Sequence, residues 1–210
     1  GYNLKGMVYC GNKGVKGVLV TDGVEITETN ADGHYWLKSR KTYEVVYVIL
    51  PSGYNVPTQG GMPKYWSQTS ADTANEEQYN FELIKQSTDD HTVLVATDIH
   101  LTNRSLSPND CTQFRDGFVK ELIADYTGKS NVYCLNLGDF AHDVHWYKND
   151  IGWAESLTHH PSDYISGLPC QVWSTLGNHD HDGHTPAGED VDLRASGPYR
   201  KMVGPTHVAM

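Results

Sequence analysis

Three short segments in the second half of the chain carry carboxylate, imidazole and amide side chains, the groups that bind divalent metal ions in proteins. In sequence order they are Ala96-Thr97-Asp98-Ile99-His100, Leu137-Gly138-Asp139-Phe140-Ala141-His142-Asp143 and Leu176-Gly177-Asn178-His179-Asp180. Each segment directly follows an apolar run that is typical of a buried β-strand. In open α/β sheets, ligands bind in the crevice beyond the carboxyl ends of the strands. The sequence therefore predicts a polar site at one edge of a sheet.

The types and spacing of these residues indicate phosphoryl chemistry. Asp98 and His100 are two residues apart, so on an extended segment they project to the same side and both can bind one ion. Asp139 follows a glycine, which permits a tight turn and suits a carboxylate that bridges two ions. Asn178 offers a neutral amide oxygen, and His179 beside it can point toward a substrate. Two divalent ions about 3.5–4 Å apart can clamp a phosphoryl group and deprotonate a water near neutral pH.

The elements that must position these residues predict an α/β domain over residues 91–210. Strand-like runs alternate with helical stretches, and 41 and 39 residues separate Asp98 from Asp139 and Asp139 from Asn178. Each interval has about the length of one β-α crossover, which indicates parallel neighbouring strands with right-handed connections.

Two helices are predicted within this domain. The first is expected to begin at Ser107-Pro108, with serine as N-cap and proline at the first helical position, and to end near Tyr126. Its predicted apolar face is formed by Phe114, Phe118, Leu122 and Ile123. A second helical stretch is predicted within residues 146–166.

Residues 1–87 show a β pattern without helical periodicity and predict a small all-β sandwich domain. The most strongly β-prone run is Tyr43–Leu50. Residues 51–78 are rich in glycine, proline and serine and are interpreted as a long loop, and Tyr79–Leu83 is expected to close the sandwich. A polar linker then leads to residue 91, which places the domain boundary there.

Composition excludes several classes of protein. The net charge of −10 argues against binding to a nucleic-acid backbone, which needs clustered lysine and arginine. No apolar run approaches the roughly 20 residues of a transmembrane helix. The four cysteines lack C-x-x-C spacing, which disfavours a zinc knuckle. The chain opens at Gly1-Tyr2 without an initiator methionine, which suggests trimming and a secreted, periplasmic or cell-surface location.

The ordered set D-x-H, then G-D, then G-N-H-D resembles that of the calcineurin-like metallophosphoesterases, and the resemblance covers residues 91–210. The first half is similar to the small β-sandwich that precedes the catalytic domain in a group of secreted bacterial members. That similarity rests on the glycine-rich stretches Val18–Gly23 and Asn30–Tyr35. The implied fold is a metallophosphoesterase-type β-sandwich flanked by helices, incomplete here, after a small all-β domain.

The resemblance implies a role for each site residue. The implied metal ligands are Asp98 and His100 at the first ion, Asp139 as the bridge, and Asn178 at the second ion. His179 would stabilise or protonate the leaving oxygen, and Asp143 would orient His179. The other histidines are not assigned to the site, and His181-Asp182-Gly183-His184 is interpreted as a surface loop near it.

The implied reaction is in-line attack by a hydroxide held between two divalent ions, with manganese, iron and zinc all suited to the ligands. The substrate would be a phosphomonoester or phosphodiester, namely a phosphorylated small molecule, lipid or nucleotide. The protein-phosphatase branch has Asp-Arg-Gly after its metal-binding aspartate, whereas this chain reads Phe140-Ala141-His142-Asp143-Val144. A Ser/Thr protein phosphatase is therefore disfavoured.

One departure from the family pattern concerns histidines that the family supplies downstream, in a Gly-His and a Gly-His-x-His segment. The sequence ends at Met210 without them. We therefore expect a downstream part of the same protein to complete the site, and this chain alone to have weak or no activity. The alternative is a binding or structural surface protein whose phosphoesterase half is a degenerate, non-catalytic scaffold.

Overall fold

The computed structural model describes residues 1–101, 109–142 and 165–207. The chain divides into two compact units. The first contains Gly1–Pro57 and Pro63–Asp90, and the second contains Thr58–Met62 and His91–Thr206. No helix in these described ranges is long and apolar enough to cross a membrane.

The first unit is made of short strands, most of them antiparallel. They are β1 (Leu4–Cys10), β2 (Lys13–Gly14), β3 (Leu19–Thr21), β4 (Ile26–Glu28), β5 (His34–Leu37), β6 (Val45–Ile49), β7 (Tyr54–Asn55), β10 (Trp66–Gln68), β11 (Glu77–Gln78), β12 (Phe81–Glu82) and β13 (Ile84–Lys85). One sheet has the order β11-β1-β12, with β2 and β5 also paired to β1, and another has the order β10-β6-β3-β4. This arrangement fits the predicted β-sandwich.

The first of these two sheets buries alternate residues, because successive side chains of a strand point to opposite faces, whereas β6 in the second sheet is buried on both faces. Val8 and Tyr35 are fully buried in the first sheet, and Val20 and Val48 are buried in the second. The exposed residues between them, such as Trp36 on β5, keep the period of two. β1 and β5 are therefore half-buried strands, whereas Val45–Val48 of β6 are buried on both faces.

The prediction of a long loop over residues 51–78 is wrong. Within it, β10 pairs antiparallel with β6, with Trp66 opposite Tyr47 and Gln68 opposite Val45. The physical reason is tertiary: a three-residue strand has little propensity of its own and is stabilised by the neighbour that it pairs with.

A buried lysine, Lys41, forms several hydrogen bonds within the first unit. The Lys41 ammonium group is fully buried and donates hydrogen bonds to two backbone carbonyl oxygens at 2.7 and 2.9 Å. It also donates to the Glu77 carboxylate. Burial raises the pKa of Glu77, but hydrogen bonds from Lys41, Tyr79 and Ser70 outweigh it and hold the pKa at about 2.

The low pKa of Glu77 predicts a loss of stability in acid. Because the folded-state pKa lies below the ordinary value of 4.5, the carboxylate stabilises the fold above pH 4.5 and this contribution is lost as pH falls toward 2. We expect Glu77→Gln to lower the free energy of unfolding by about 2 kcal/mol at pH 7, and by less at pH 3. Urea denaturation at both values measures this difference. The control is Glu76→Gln, since Glu76 forms an exposed ion pair with Lys5; equal effects at pH 7 would contradict the prediction.

The second unit contains a three-stranded parallel sheet in the order β14-β15-β16. Its strands are Thr92–Ala96, Val132–Asn136 and Gln171–Ser174. The described helices are α1 (Asp110–Gln113), a π-helical segment (Phe114–Val119), α2 (Lys120–Tyr126), a 3₁₀ turn (Asn178–Asp180), α3 (Val191–Ala195) and α4 (Gly197–Met202). The predicted parallel neighbours are present.

The predicted apolar face of the first helix is partly wrong. Phe118 and Ile123 are 38% and 37% exposed, whereas Cys111 and Val119 are buried in the core. The cause is the π-helical segment, whose wider turn shifts side chains away from the 3.6-residue period assumed for an α-helix. The predicted start at Ser107-Pro108 and residues 146–164 of the second helix lie outside the described residues.

The second unit also includes a segment from the first half of the chain. Thr58–Gln59 and Met62–Pro63 form the short strands β8 and β9. The Gln171 side chain donates to Thr58 Oγ1 at 2.9 Å, and the Val172 N–H donates to the Gly61 carbonyl at 2.8 Å. The segment therefore lies along β16, the end strand of the parallel sheet.

Candidate metal centre

The three predicted ligand segments leave the parallel sheet at the same edge. Ala96 lies opposite Asn136, and Asn136 lies opposite Ser174, so the carboxyl ends of the strands are aligned. Backbone pairing continues past the strands: the N–H groups of Asp98 and His100 donate to the carbonyl oxygens of Gly138 and Asp139 at 3.2 and 2.9 Å. These bonds hold the first two segments side by side.

Two glycines bring the second and third segments together. A Cβ on Gly138 would lie 2.8 Å from the Gly177 Cα, and a Cβ on Gly177 would lie 2.2 Å from both the backbone nitrogen and Oδ1 of Asp139. Gly138 also has a φ of +110°, which favours glycine. The close approach that glycine before Asp139 was expected to permit is therefore present, and it requires glycine on both sides.

Three of the predicted ligands have left-handed backbone conformations. Asp98, His100 and Asp139 have φ values of 54°, 53° and 53°. Such conformations are uncommon for residues other than glycine, and they cluster at functional sites where the surrounding structure enforces them. The pairing described above is the enforcing structure here.

Three side chains converge at this edge. His100 Nε2 lies 3.4 Å from Asp139 Oδ2, and the backbone N–H of His179 donates to Asp139 Oδ1 at 2.8 Å. One ligand atom from each of His100, Asp139 and His179 lies within 4.8 Å of the others. Imidazole and carboxylate donors at this spacing could hold a metal ion.

The remaining predicted residues lie at the margin of this cluster or beyond the described ranges. The Asp98 side chain is 64% exposed, and its Oδ1 lies 4.0 Å from His100 Nε2. Asn178 begins the 3₁₀ turn and is exposed. Asp143 lies outside the described residues. The backbone of Asp98 is held by Gly138, and its carboxylate accepts a hydrogen bond from the Thr97 hydroxyl at 2.6 Å.

Asp180 ties the second and third segments together, a role that the sequence did not reveal. The carboxylate is fully buried and accepts N–H hydrogen bonds from Gly177 at 2.9 Å and Ala141 at 3.1 Å. Burial raises the pKa of Asp180, against the lowering effect of backbone hydrogen bonds from Gly177, Ala141 and Phe140. Asp180, the final residue of the G-N-H-D motif, therefore links the second and third segments by hydrogen bonds.

His142 is the second residue that sequence analysis left out of the site. It is half-buried, and its ring lies 5.0 Å from the ring of His179 and 5.7 Å from that of His100. The signal available in the sequence was its position three residues after Asp139 in the same segment. That signal gives proximity along the chain but not the direction of the ring.

Comparison with known protein families gives a match over the first unit. Residues 2–86 match the family model described as the N terminal of calcineurin-like phosphoesterase. Neither the curated proteins nor the solved structures give a match.

Proposed function

We propose that this chain is part of a metal-dependent hydrolase of phosphomonoesters or phosphodiesters, because residues 2–86 match the family model for the N-terminal domain of calcineurin-like phosphoesterases. The observation that carries the proposal is the convergence of His100, Asp139 and His179 within 4.8 Å at the ends of parallel strands. The family match and the cluster come from separate units of the chain. They therefore support the same conclusion independently.

In this proposal Asp98, His100, Asp139 and Asn178 are the metal ligands. These residues would hold a divalent ion, which would supply polarisation of a phosphoryl group and a lowered pKa for a nearby water. Manganese, iron and zinc all suit this donor set. Asp139 is held by the His179 N–H on one carboxylate oxygen, which leaves the other directed toward His100.

His179 is proposed to protonate the leaving oxygen. Its ring lies 4.7 Å from the ring of His100. An imidazole within reach of the scissile bond contributes typically 10²–10⁴-fold as a general acid. Asp143 remains the proposed orienting group for this ring.

The substrate class follows from the chemistry of the centre. The chain carries a net charge of −10, so a phosphorylated substrate needs bound metal ions to reverse the local field. A phosphorylated small molecule, lipid or nucleotide fits this requirement. A nucleic-acid backbone does not, since binding to it needs clustered lysine and arginine and the net charge of the chain is −10.

The test uses the full-length protein with added Mn²⁺ or Zn²⁺ and two aryl phosphates. We expect hydrolysis of p-nitrophenyl phosphate that EDTA abolishes and that added metal restores. We also expect His179→Ala to slow hydrolysis of phenyl phosphate about tenfold more than that of p-nitrophenyl phosphate, because a poorer leaving group depends more on the general acid. Tight metal binding without turnover of either ester would instead support a non-catalytic scaffold.

A further inference from the structure

We propose that His142 is a positioning residue that fixes the orientation of the His179 imidazole by stacking against it. Its consequence for catalysis rests on the proposed function, whereas its structural part does not. His142 would act through His179 and would not need to touch the substrate.

The geometry of three imidazole rings carries this inference. The rings of His142 and His179 are stacked, with centroids 5.0 Å apart and an interplanar angle of 25°. The His100 ring meets both at steep angles, 62° to His179 and 83° to His142. Aromatic pairs favour such stacked and edge-to-face arrangements at centroid separations of 4.5–7 Å. The His179 ring therefore has one neighbour on its face and another at its side.

The backbone that leads to His142 is fixed from two directions. The Ala141 N–H donates to the buried Asp180 carboxylate at 3.1 Å. Ala141 also forms a parallel bridge with Leu101, whose N–H donates to the Phe140 carbonyl at 3.0 Å. The backbone that precedes His142 is therefore hydrogen-bonded to both neighbouring segments.

The stacked contact adds to a backbone anchor that does not by itself select a side-chain rotamer for His179. Its N–H is fixed by Asp139 Oδ1 at 2.8 Å, but rotation about the side-chain torsions moves the ring without changing that bond. The stacked His142 ring disfavours rotation that would remove the contact. Orientation decides which ring nitrogen faces the reacting atoms, and a misplacement of about 1 Å can cost 10²-fold in rate.

The experiment compares three variants of the full-length protein. His142→Ala removes the stacking partner, and His142→Phe keeps a flat ring while removing both ring nitrogens. His184→Ala changes a histidine in the neighbouring loop that the proposal leaves without a role. Circular dichroism establishes that each variant is folded.

The first readout is the aromatic ¹H–¹³C spectrum of the histidine rings in metal-free protein, with the His179 signals identified by their loss in His179→Ala. We expect these signals to shift and broaden in His142→Ala and to stay sharp in His142→Phe and His184→Ala. Unchanged His179 signals in folded His142→Ala would overturn the inference. This readout does not require activity.

The second readout is aryl phosphate hydrolysis in the presence of metal. We expect His142→Ala to lower kcat about tenfold with little change in KM, and His142→Phe to recover most of that loss. Failure of His142→Phe to recover kcat would show that the ring nitrogens, and not the stacking, are needed. If wild-type protein shows no turnover, the proposed function fails while the spectra still decide the role of His142.

Discussion

Replacing Asp139 with asparagine is expected to lower metal affinity by more than about 100-fold while leaving the protein folded. Loss of an outer contact to a ligand typically costs 10- to 100-fold in metal affinity, and Asp139 is proposed as a ligand itself. Its side chain is only 10% exposed and lies 3.4 Å from His100 Nε2. Asparagine keeps the shape and can still accept the His179 N–H through Oδ1, so the change removes mainly the charge.

Isothermal titration of the metal-free protein with Zn²⁺ measures this effect, and phosphoester turnover should fall in parallel. The control is Asp125→Asn, since Asp125 is an exposed carboxylate on α2. Retention of full affinity and full activity in Asp139→Asn would contradict the assignment of the metal centre.

Gly177→Ala is expected to destabilise the second unit by about 3 kcal/mol or more, the upper range for an overpacked core. Gly177 has φ −105° and ψ 178°, an extended conformation that alanine adopts freely, so backbone strain plays no part. The cost comes from the new Cβ, which would lie 2.2 Å from the Asp139 nitrogen and Oδ1. Relief requires the second and third ligand segments to separate, and metal affinity should therefore fall as well.

Chemical denaturation provides the measurement, and Gly117→Ala provides the matched control. A Cβ at Gly117 meets no atom within 4 Å, and alanine is the better helix former by about 1 kcal/mol. We expect that variant to be as stable as the wild type or more so. Similar losses of unfolding free energy in the two variants would show that the approach of Gly177 to Asp139 is not tight.

The strands that precede the three proposed ligand segments could be predicted because strand periodicity is a local signal. The runs before Asp98, Asp139 and Asn178 are apolar and β-prone, and the intervals between them have crossover length. Parallel pairing follows from that alternation. The prediction therefore located the site edge without any contact information.

What the sequence could not supply were contacts between residues far apart in the chain. The hydrogen bond between Ala141 and Asp180 spans 39 residues, and that between His179 and Asp139 spans 40. The direction of the His142 ring depends on these contacts. The π-helical segment was missed for a related reason: its extra residue per turn depends on packing against the core, and an amphipathic pattern alone does not reveal it.

The Thr58–Met62 segment gives the second unit an unusual assembly order. The hydrogen bond between Thr58 and Gln171 joins residues 113 positions apart. The Thr58–Met62 segment is therefore synthesised well before β16, the strand that it contacts. Closing so long a loop costs conformational entropy, and this cost comes before the stabilising contact forms. The parallel sheet is therefore expected to gain this neighbour late in folding. A protease cut between residues 62 and 91 would convert that intramolecular docking into a bimolecular one.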